Sequence, residues 1–450
     1  MKPARAVDHA REVVRAAGVL APRLTERRAV EELERLPESD LARALVAEKV
    51  CFRVLDLLGR YRSGKVEALE SDGAFANHMI RLRRMAETGT AVVDTLDTIG
   101  RALGVPVSGI KGLSARAWYA EPAMRDVGDI DLMASCLDDA VRLAAAVRGL
   151  GYTFERRELP WLKRWPDADL VYGQFKLKAI ELYALPNIDI HFGGYSVRHC
   201  GLHRSPPQDH GPGLSYYTAQ DNIPLLVGNA ACDHQITTKD LNDIFLCLDR
   251  EDVDWQHVCR ELDDVALLPF FHLMLRRLKD ASRLTVSQRR TVDGMLGRSH
   301  GEWPRPATHR GWHRRWLATT THAFRLGMRH SYSRALVTAL SACRYYRRPL
   351  RLAVTARRGR RAGRMPALNP WTCVRLVPVE LVERLLAASD EAALGPARLD
   401  VTGPARSLST EMTIVRLPQG DVVRSRMGDF LPTVHYTVDR RLMALAERRV

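Results

Sequence analysis

No stretch of this 450-residue sequence is apolar enough, over enough length, to span a bilayer. The segment from Met1 to Gly18 is broken by Asp8, His9, Arg11, Glu12 and Arg15, so it offers no apolar run for a signal peptide, and a cytoplasmic location is expected. Cysteine is sparse. The eight present (Cys51, Cys136, Cys200, Cys232, Cys247, Cys259, Cys343 and Cys373) include no Cys-x-x-Cys pair, which speaks for reduced, mostly buried thiols and against a disulfide framework. His199, Cys200, His203, Cys232 and His234 match no standard zinc-finger spacing. Low-complexity tracts are also missing, and a hydrophobic content of 46% with 27% charged residues is that of a globular protein. A chain this long exceeds one ordinary core and implies two or three domains.

Acidic residues are nearly absent from one place. Residues 301–370 hold sixteen arginines, no lysine and a single acid, Glu302, so the net charge of +15 carried by the whole chain resides there. Guanidinium groups fork onto phosphate and stack on bases. Within this segment Trp312 to Arg329 reads as an amphipathic helix, with Arg315, His322, Arg325 and Arg329 on one face and Trp316, Ala323 and Phe324 on another. Arg357 to Arg364 reads as a basic linker. The expected partner is a polyanion: RNA first, through Arg315, Arg325 and Arg329, and an anionic membrane surface second. A merely solvated face is the alternative.

Two short acidic patterns are the features that bear on chemistry. Gly128 to Leu132 reads Gly-Asp-Ile-Asp-Leu, and Asn187 to His191 reads Asn-Ile-Asp-Ile-His. Side chains two apart on a strand share a face, so Asp129 joins Asp131, and Asp189 joins His191, while the intervening aliphatics point into a core. Three carboxylates on neighbouring strands make a hard oxygen nest suited to Mg²⁺, with substrate phosphates as further ligands. Such nests perform phosphoryl or nucleotidyl transfer through two metals, one activating the attacking hydroxyl and one holding the leaving pyrophosphate. An Asp-x-Asp pair taken alone is equally at home in a turn. Upstream, Gly104 to Lys111 reads as a short buried strand, Gly112 as a turn, and Leu113 to Ala120 as a helix ended by Glu121-Pro122. That arrangement offers backbone N–H groups to a phosphate, with Lys111 and Arg125 flanking it either as nucleotide contacts or as solvated charges.

The segmentation that follows is an N-terminal helical region at 1–100, a catalytic core at 101–214, a helical bundle at 215–300, the Arg-rich segment at 301–370 and a small C-terminal region at 371–450. Leu41, Ala44, Leu45, Ala47, Val50, Val54, Leu57 and Leu58 form the apolar stripe of the first region. Asp138 to Gly151 reads as a helix of the core, and Gln174 to Leu185 as a strand leading to the Asp189 strand. Thr413 to Leu417 and Val422 to Met427 flank Pro418 to Asp421 as a hairpin. The class is α+β: a small mixed-sheet core with helices before and after it and a small C-terminal α/β extension.

Ile110-Lys111-Gly112, Arg116-Ala-Trp-Tyr-Ala-Glu-Pro122, Met124-Arg125 and Gly128-Asp-Ile-Asp-Leu132, followed by Asn187 to Phe192, resemble the uncharacterised nucleotidyltransferase family of the polymerase-β-like superfamily. His234 with Lys239-Asp-Leu-Asn-Asp-Ile244, and Val253-Asp-Trp255, resemble its downstream helices. The likeness covers about residues 30 to 280. It departs from the wider superfamily in one respect: the usual Gly-Ser after the first strand stands here as Lys111-Gly112-Leu113-Ser114. The resemblance implies a bundle lysine on the phosphates, which here is Lys239; an ion pair with Asp240 or Asp243 is the competing role. The reading is therefore an Mg²⁺-dependent enzyme that moves an NMP from an NTP to an acceptor hydroxyl on RNA, tRNA or a small molecule. Asp129, Asp131 and Asp189 are its catalytic and metal residues, and Lys111, Gly112, Arg125 and Lys239 its nucleotide contacts. The rival is an inactive scaffold of the same fold that binds nucleic acid.

Overall fold

The computed structural model describes residues 3–154, 159–165, 170–179, 185–197, 201–203, 211–233, 235–297, 312–328, 331–333, 335–336, 339–340, 365, 367–368, 373–382, 404–417 and 420–433. The chain divides into two compact units: residues 1–90, 110–128 and 217–330 form the first, and residues 91–109, 129–216 and 331–450 the second. Among the described residues the architecture is mixed α+β, and no helix is long and apolar enough to cross a membrane.

The first unit is helical. Its elements are α1 (Pro3–Gly18), α2 (Glu26–Glu34), α3 (Glu38–Glu48), α4 (Cys51–Arg60), α5 (Lys65–Ser71), the first part of α6 (Gly73–Leu103), α7 (Gly112–Arg116) and a 3₁₀ turn at Pro122–Met124. The other α-helical member of the chain's first half, α8 (Leu137–Gly149), belongs to the second unit. The first unit then continues with α9 (Ala219–Asp233), α10 (Thr238–Phe245), α11 (Trp255–Asp264), α12 (Leu268–Ala281), α13 (Val286–Leu296) and α14 (Trp312–Met328). The stripe read from the sequence is the core of its beginning: Leu41, Ala44, Leu45, Val50, Val54, Leu57 and Leu58 are all buried.

One buried charge ties three of these helices. Glu48 is fully buried, accepts from Arg11 Nε at 2.7 Å and Arg15 Nη2 at 2.9 Å, and also accepts from the backbone N–H and the hydroxyl of Thr238, both at 2.8 Å. A carboxylate removed from water survives only with partners of this kind, and here it satisfies donors at the start of α10 as well. Thr237 and Asp240 close that helix end with a reciprocal capping box.

The second unit is built on one sheet. Its strands are β1 (Pro106–Gly109), β2 (Asp129–Ala134), β3 (Tyr152–Thr153), β4 (Trp161–Trp165), β5 (Leu170–Ala179) and β6 (Asn187–Phe192). They continue with β9 (Gly213–Tyr216), β10 (Val374–Pro378), β11 (Ala405–Ser407), β12 (Met412–Leu417), β13 (Gly420–Ser425) and β14 (Gly428–Thr433). The order is β11-β12-β13-β14-β10-β4-β5-β6-β2-β1-β9, with β3 beside β5. A separate hairpin pairs β7 (Tyr195–Val197) with β8 (Gly201–His203). The hairpin read at 413–427 is present as β12 and β13, in antiparallel register. What local periodicity did not reveal is that the C-terminal strands extend the same sheet, because β10 pairs antiparallel with β4.

The amphipathic α8 packs on β2, β5 and β6, burying Leu137, Ala140, Val141, Leu143, Ala144 and Val147. Phe175, Leu177, Ile188, Ile190 and Phe192 are fully buried members of the same core. Gly173 shows how tightly that core is closed. A Cβ there would lie 2.1 Å from the Trp161 carbonyl oxygen and 2.6 Å from Cζ of Phe192, so the position excludes any side chain.

Candidate active site

The acidic centre lies in the second unit and follows from strand register. β2 and β6 are adjacent and parallel, with Asp129 opposite Asn187, Asp131 opposite Asp189 and Met133 opposite His191. Residues opposite one another share a face, so the Asp131 and Asp189 carboxylates are brought together by the pairing itself. Asp131, Asp189 and His191 each present a ligand atom within 4.8 Å of the other two, and all three are buried. It is the one such group found among the described residues. His191 Nε2 lies 3.5 Å from Asp131 Oδ1, and its ring packs on Tyr195 at a centroid distance of 5.0 Å. Asp129 stands outside the group of three, with its side chain 38% exposed.

Two residues of β5 complete this centre, and the sequence reading assigned a function to neither. Lys176 sits opposite Asp189, its Nζ 3.3 Å from Asp189 Oδ2 and 3.9 Å from Asp129 Oδ2. Gln174 donates from Nε2 to Asp189 Oδ2 at 2.9 Å. The signal available in the sequence was the period-2 pattern of β5, which places residues 174 and 176 on one face. Which strand that face lies beside is not a local property. Two carboxylates and an imidazole held this closely form a donor set that can hold a divalent cation, with the carboxylates as hard oxygen ligands. Lys176 offsets the charge of Asp189 and Asp129, the two carboxylates it faces.

The remaining candidates lie in the first unit. Lys111 precedes α7 with φ 48° and ψ −117°, and it is buried. Its backbone is fixed at both ends by one amide: the N–H donates to Asn222 Oδ1 at 2.5 Å, and the carbonyl accepts from Asn222 Nδ2 at 3.0 Å. Asn222, on α9, carried no distinguishing signal in the sequence. Gly112 is needed for close approach, since a Cβ there would come within 2.8 Å of Arg125 Nη1.

Arg125 is buried and forks onto Asp243, with Nε to Oδ1 at 2.9 Å and Nη2 to Oδ2 at 2.8 Å; the Tyr119 hydroxyl donates to the same Oδ1 at 2.8 Å. Burial alone would discharge this pair. The charges overcome it in both partners, so that Asp243 is held below the usual carboxylate range and Arg125 above its ordinary value. Burial, and then the proximity of Arg125, push the Lys239 ammonium down, while its Nζ stands 3.6 Å from Asp240 Oδ1. One edge of the Arg125 guanidinium is thus engaged within the protein, and Lys239 has the acidic neighbour that was its alternative.

In the Arg-rich segment, Arg329, the linker at 357–364 and the side chains of Arg315 and Trp316 lie outside the described residues, as does His234. The helix itself is present as α14. One expectation about its faces is corrected. His322 is not on a solvated basic face but is buried, with Nε2 2.7 Å from the Val265 carbonyl oxygen, and Ala323 and Leu326 are buried beside it. A backbone carbonyl left at a helix end is a better partner for an imidazole than repelling arginines are. Arg325 is half-buried.

Residues 72–281 match the model of a family described as uncharacterised nucleotidyltransferase. No curated protein and no solved structure matches the chain. The resemblance carried by the run from Ile110 to Leu132 is thereby shown over that span. What the match supports is a transferase of the nucleotidyl class, and with it an NTP substrate and a divalent metal.

Proposed function

We propose that this protein is an Mg²⁺-dependent nucleotidyltransferase that moves an NMP from an NTP to an acceptor hydroxyl, the α–β phosphoanhydride bond breaking as the new phosphoester forms and pyrophosphate leaving. The observation that carries the proposal is the Asp131–Asp189–His191 group, in register on adjacent parallel strands, within the family-matched segment. Asp131 and Asp189 are the ligands that suit Mg²⁺, and Asp129, at the more exposed end of the same strand face, is positioned to join them. Bound there, the metal would supply charge stabilisation at the transferred phosphoryl group and lower the proton affinity of the attacking hydroxyl.

The chain's own contributions follow from its contacts. Gln174 holds Asp189 Oδ2 and so sets the plane of the carboxylate that receives the acceptor proton. His191, beside Asp131 Oδ1, orients that carboxylate rather than serving as a preferred ligand, because Mg²⁺ favours oxygen. Lys176 bridges Asp189 and Asp129 and offsets their charge. Lys111, Gly112 and Lys239 are proposed as contacts of the nucleotide. Arg125 is assigned with them, its Nε and Nη2 held by Asp243 and its Nη1 lying toward Gly112. RNA is proposed as a partner of the arginines at 301–370 on the strength of their uncompensated charge.

The test is direct. Purified protein is incubated with each α-labelled NTP, Mg²⁺ and either total RNA or a small-molecule extract. Label transferred to an acceptor, and lost with Asp189→Asn, is the expected result. Absence of transfer to any acceptor, with nucleic-acid binding intact in the aspartate variants, would leave the inactive scaffold as the better reading.

A further inference from the structure

The acidic centre has two sides, and strand register defines them. β2 and β6 run parallel, so Asp129 lies two residues before the Asp131–Asp189 pair and His191 two residues beyond it, on the same face. At ordinary strand rise each stands about 6–7 Å along the strands from that pair. Toward His191 the ligand atoms converge: Asp131, Asp189 and His191 present them within 4.8 Å of one another. Toward Asp129 stands a cation of the chain itself. Lys176, opposite Asp189 on β5, places Nζ 3.3 Å from Asp189 Oδ2 and 3.9 Å from Asp129 Oδ2. It reaches over β6 to a carboxylate of β2. Gln174, donating to the same Asp189 Oδ2 at 2.9 Å, fixes the oxygen that the ammonium faces.

Ions in two-metal centres sit about 3.5–4 Å apart and share carboxylates between them. With one ion at Asp131 and Asp189, a second on the other side would bridge Asp129 and Asp189, whose Oδ2 atoms both face Lys176. A magnesium–oxygen bond is about 2.1 Å long, so an ion bonded to Asp189 Oδ2 would lie within about 5.4 Å of Nζ, the sum of that bond and the Lys176–Asp189 distance. Like charges that close in a centre shielded from water repel strongly. The charge count agrees. Three carboxylates against one ammonium leave two negative charges, which a single divalent ion cancels.

We propose that Lys176 takes the second cation position of this centre, so that the chain binds one divalent ion, at Asp131 and Asp189, where the paired-ion form of nucleotidyl transfer uses two. This rests on the reading of the centre as a divalent-metal site. It excludes an ion bridging Asp129 and Asp189, not a bond from Asp129 to the ion beside Asp131. The ammonium contributes fixed positive charge and hydrogen-bond donors, and leaves Lewis-acid chemistry to the single ion.

The experiment uses the full-length chain with Mn²⁺ in place of Mg²⁺, alone and with the α,β-methylene analogue of each NTP. Ions bound without nucleotide are counted by equilibrium dialysis. Paired ions are recognised by electron paramagnetic resonance, because two Mn²⁺ about 3.5–4 Å apart are spin-coupled and a lone ion is not. The expected result is one Mn²⁺ per chain, lost in Asp131→Asn, and no spin-coupled pair with any analogue. Lys176→Met or Lys176→Gln, at a side chain 21% exposed that tolerates either, removes the charge and should bring the coupled pair. Lys176→Arg keeps the charge and should not. A coupled pair in wild type or in Lys176→Arg, or none in the two neutral variants, would overturn the role of Lys176 and leave the metal centre standing, as long as Asp131→Asn removes bound Mn²⁺. No bound Mn²⁺ in wild type, or a count that Asp131→Asn does not change, overturns both.

Discussion

At the residue scale, the two units hold buried carboxylates of opposite purpose. Asp131 and Asp189 lie together beside His191, with Lys176 against Asp189, an arrangement that gains from an added cation. Asp131→Asn and Asp189→Asn should each lower NMP transfer by roughly three orders of magnitude or more, as loss of an essential member of a catalytic group does. They should also abolish any rise in Tm on adding Mg²⁺, a readout independent of turnover. Asp243, by contrast, already has its cation in Arg125. Its pKa is depressed in the folded chain, so the stability it contributes is present above the ordinary carboxylate range of about 4 and is lost as pH falls through its lowered folded value. Asp243→Asn should cost roughly 3–5 kcal/mol at pH 7, because it leaves a buried guanidinium without its counter-charge. The variant should also show a flatter acid limb, measured as urea stability against pH. An unchanged limb would place the acid sensitivity elsewhere.

At the element scale, what could be read in advance was whatever repeats locally. The Leu41 to Leu58 stripe, the two acidic strands and the 412–425 hairpin follow from spacings within one segment. Lys176 and Gln174 lie on a strand that was foreseen, yet their partnership with Asp189 depends on which strand β5 pairs with. The same holds for Asn222 against Lys111, 111 residues away, and for His322 against Val265, a partner 57 residues away that a helical wheel cannot supply. Gly173 belongs with these: nothing in its neighbours announces that Trp161 and Phe192 close over it. Gly173→Ala should therefore destabilise the second unit by about 3 kcal/mol or more, since the nearest atom is a backbone oxygen that cannot rotate away. Thermal unfolding measures it, and a loss under about 1 kcal/mol would mean that β4 and β5 separate more readily than their pairing implies.

At the scale of the whole molecule, the net charge is not spread over the surface but belongs to one seventy-residue segment, and the remainder of the chain is balanced. Fixed charge of one sign is costly unless a partner neutralises it, and a nucleic-acid backbone does so by releasing its condensed counterions. Affinity for single-stranded RNA should then fall linearly with salt on a log–log plot. Replacing Arg315, Arg325 and Arg329 together by Gln should reduce the slope by about 2 if all three meet phosphates. Arg325 introduces a check, because it is half-buried in α14. If it packs rather than binds, Arg325→Gln alone lowers Tm and leaves the slope where it was. Asp131→Asn, which removes a carboxylate from the proposed catalytic centre, should likewise leave the slope unchanged while eliminating transfer. A triple variant with the wild-type slope would remove these three arginines from the RNA contact and return the segment's charge to self-repulsion held in solvent. Binding to anionic vesicles without any binding of RNA would assign it to a membrane surface instead.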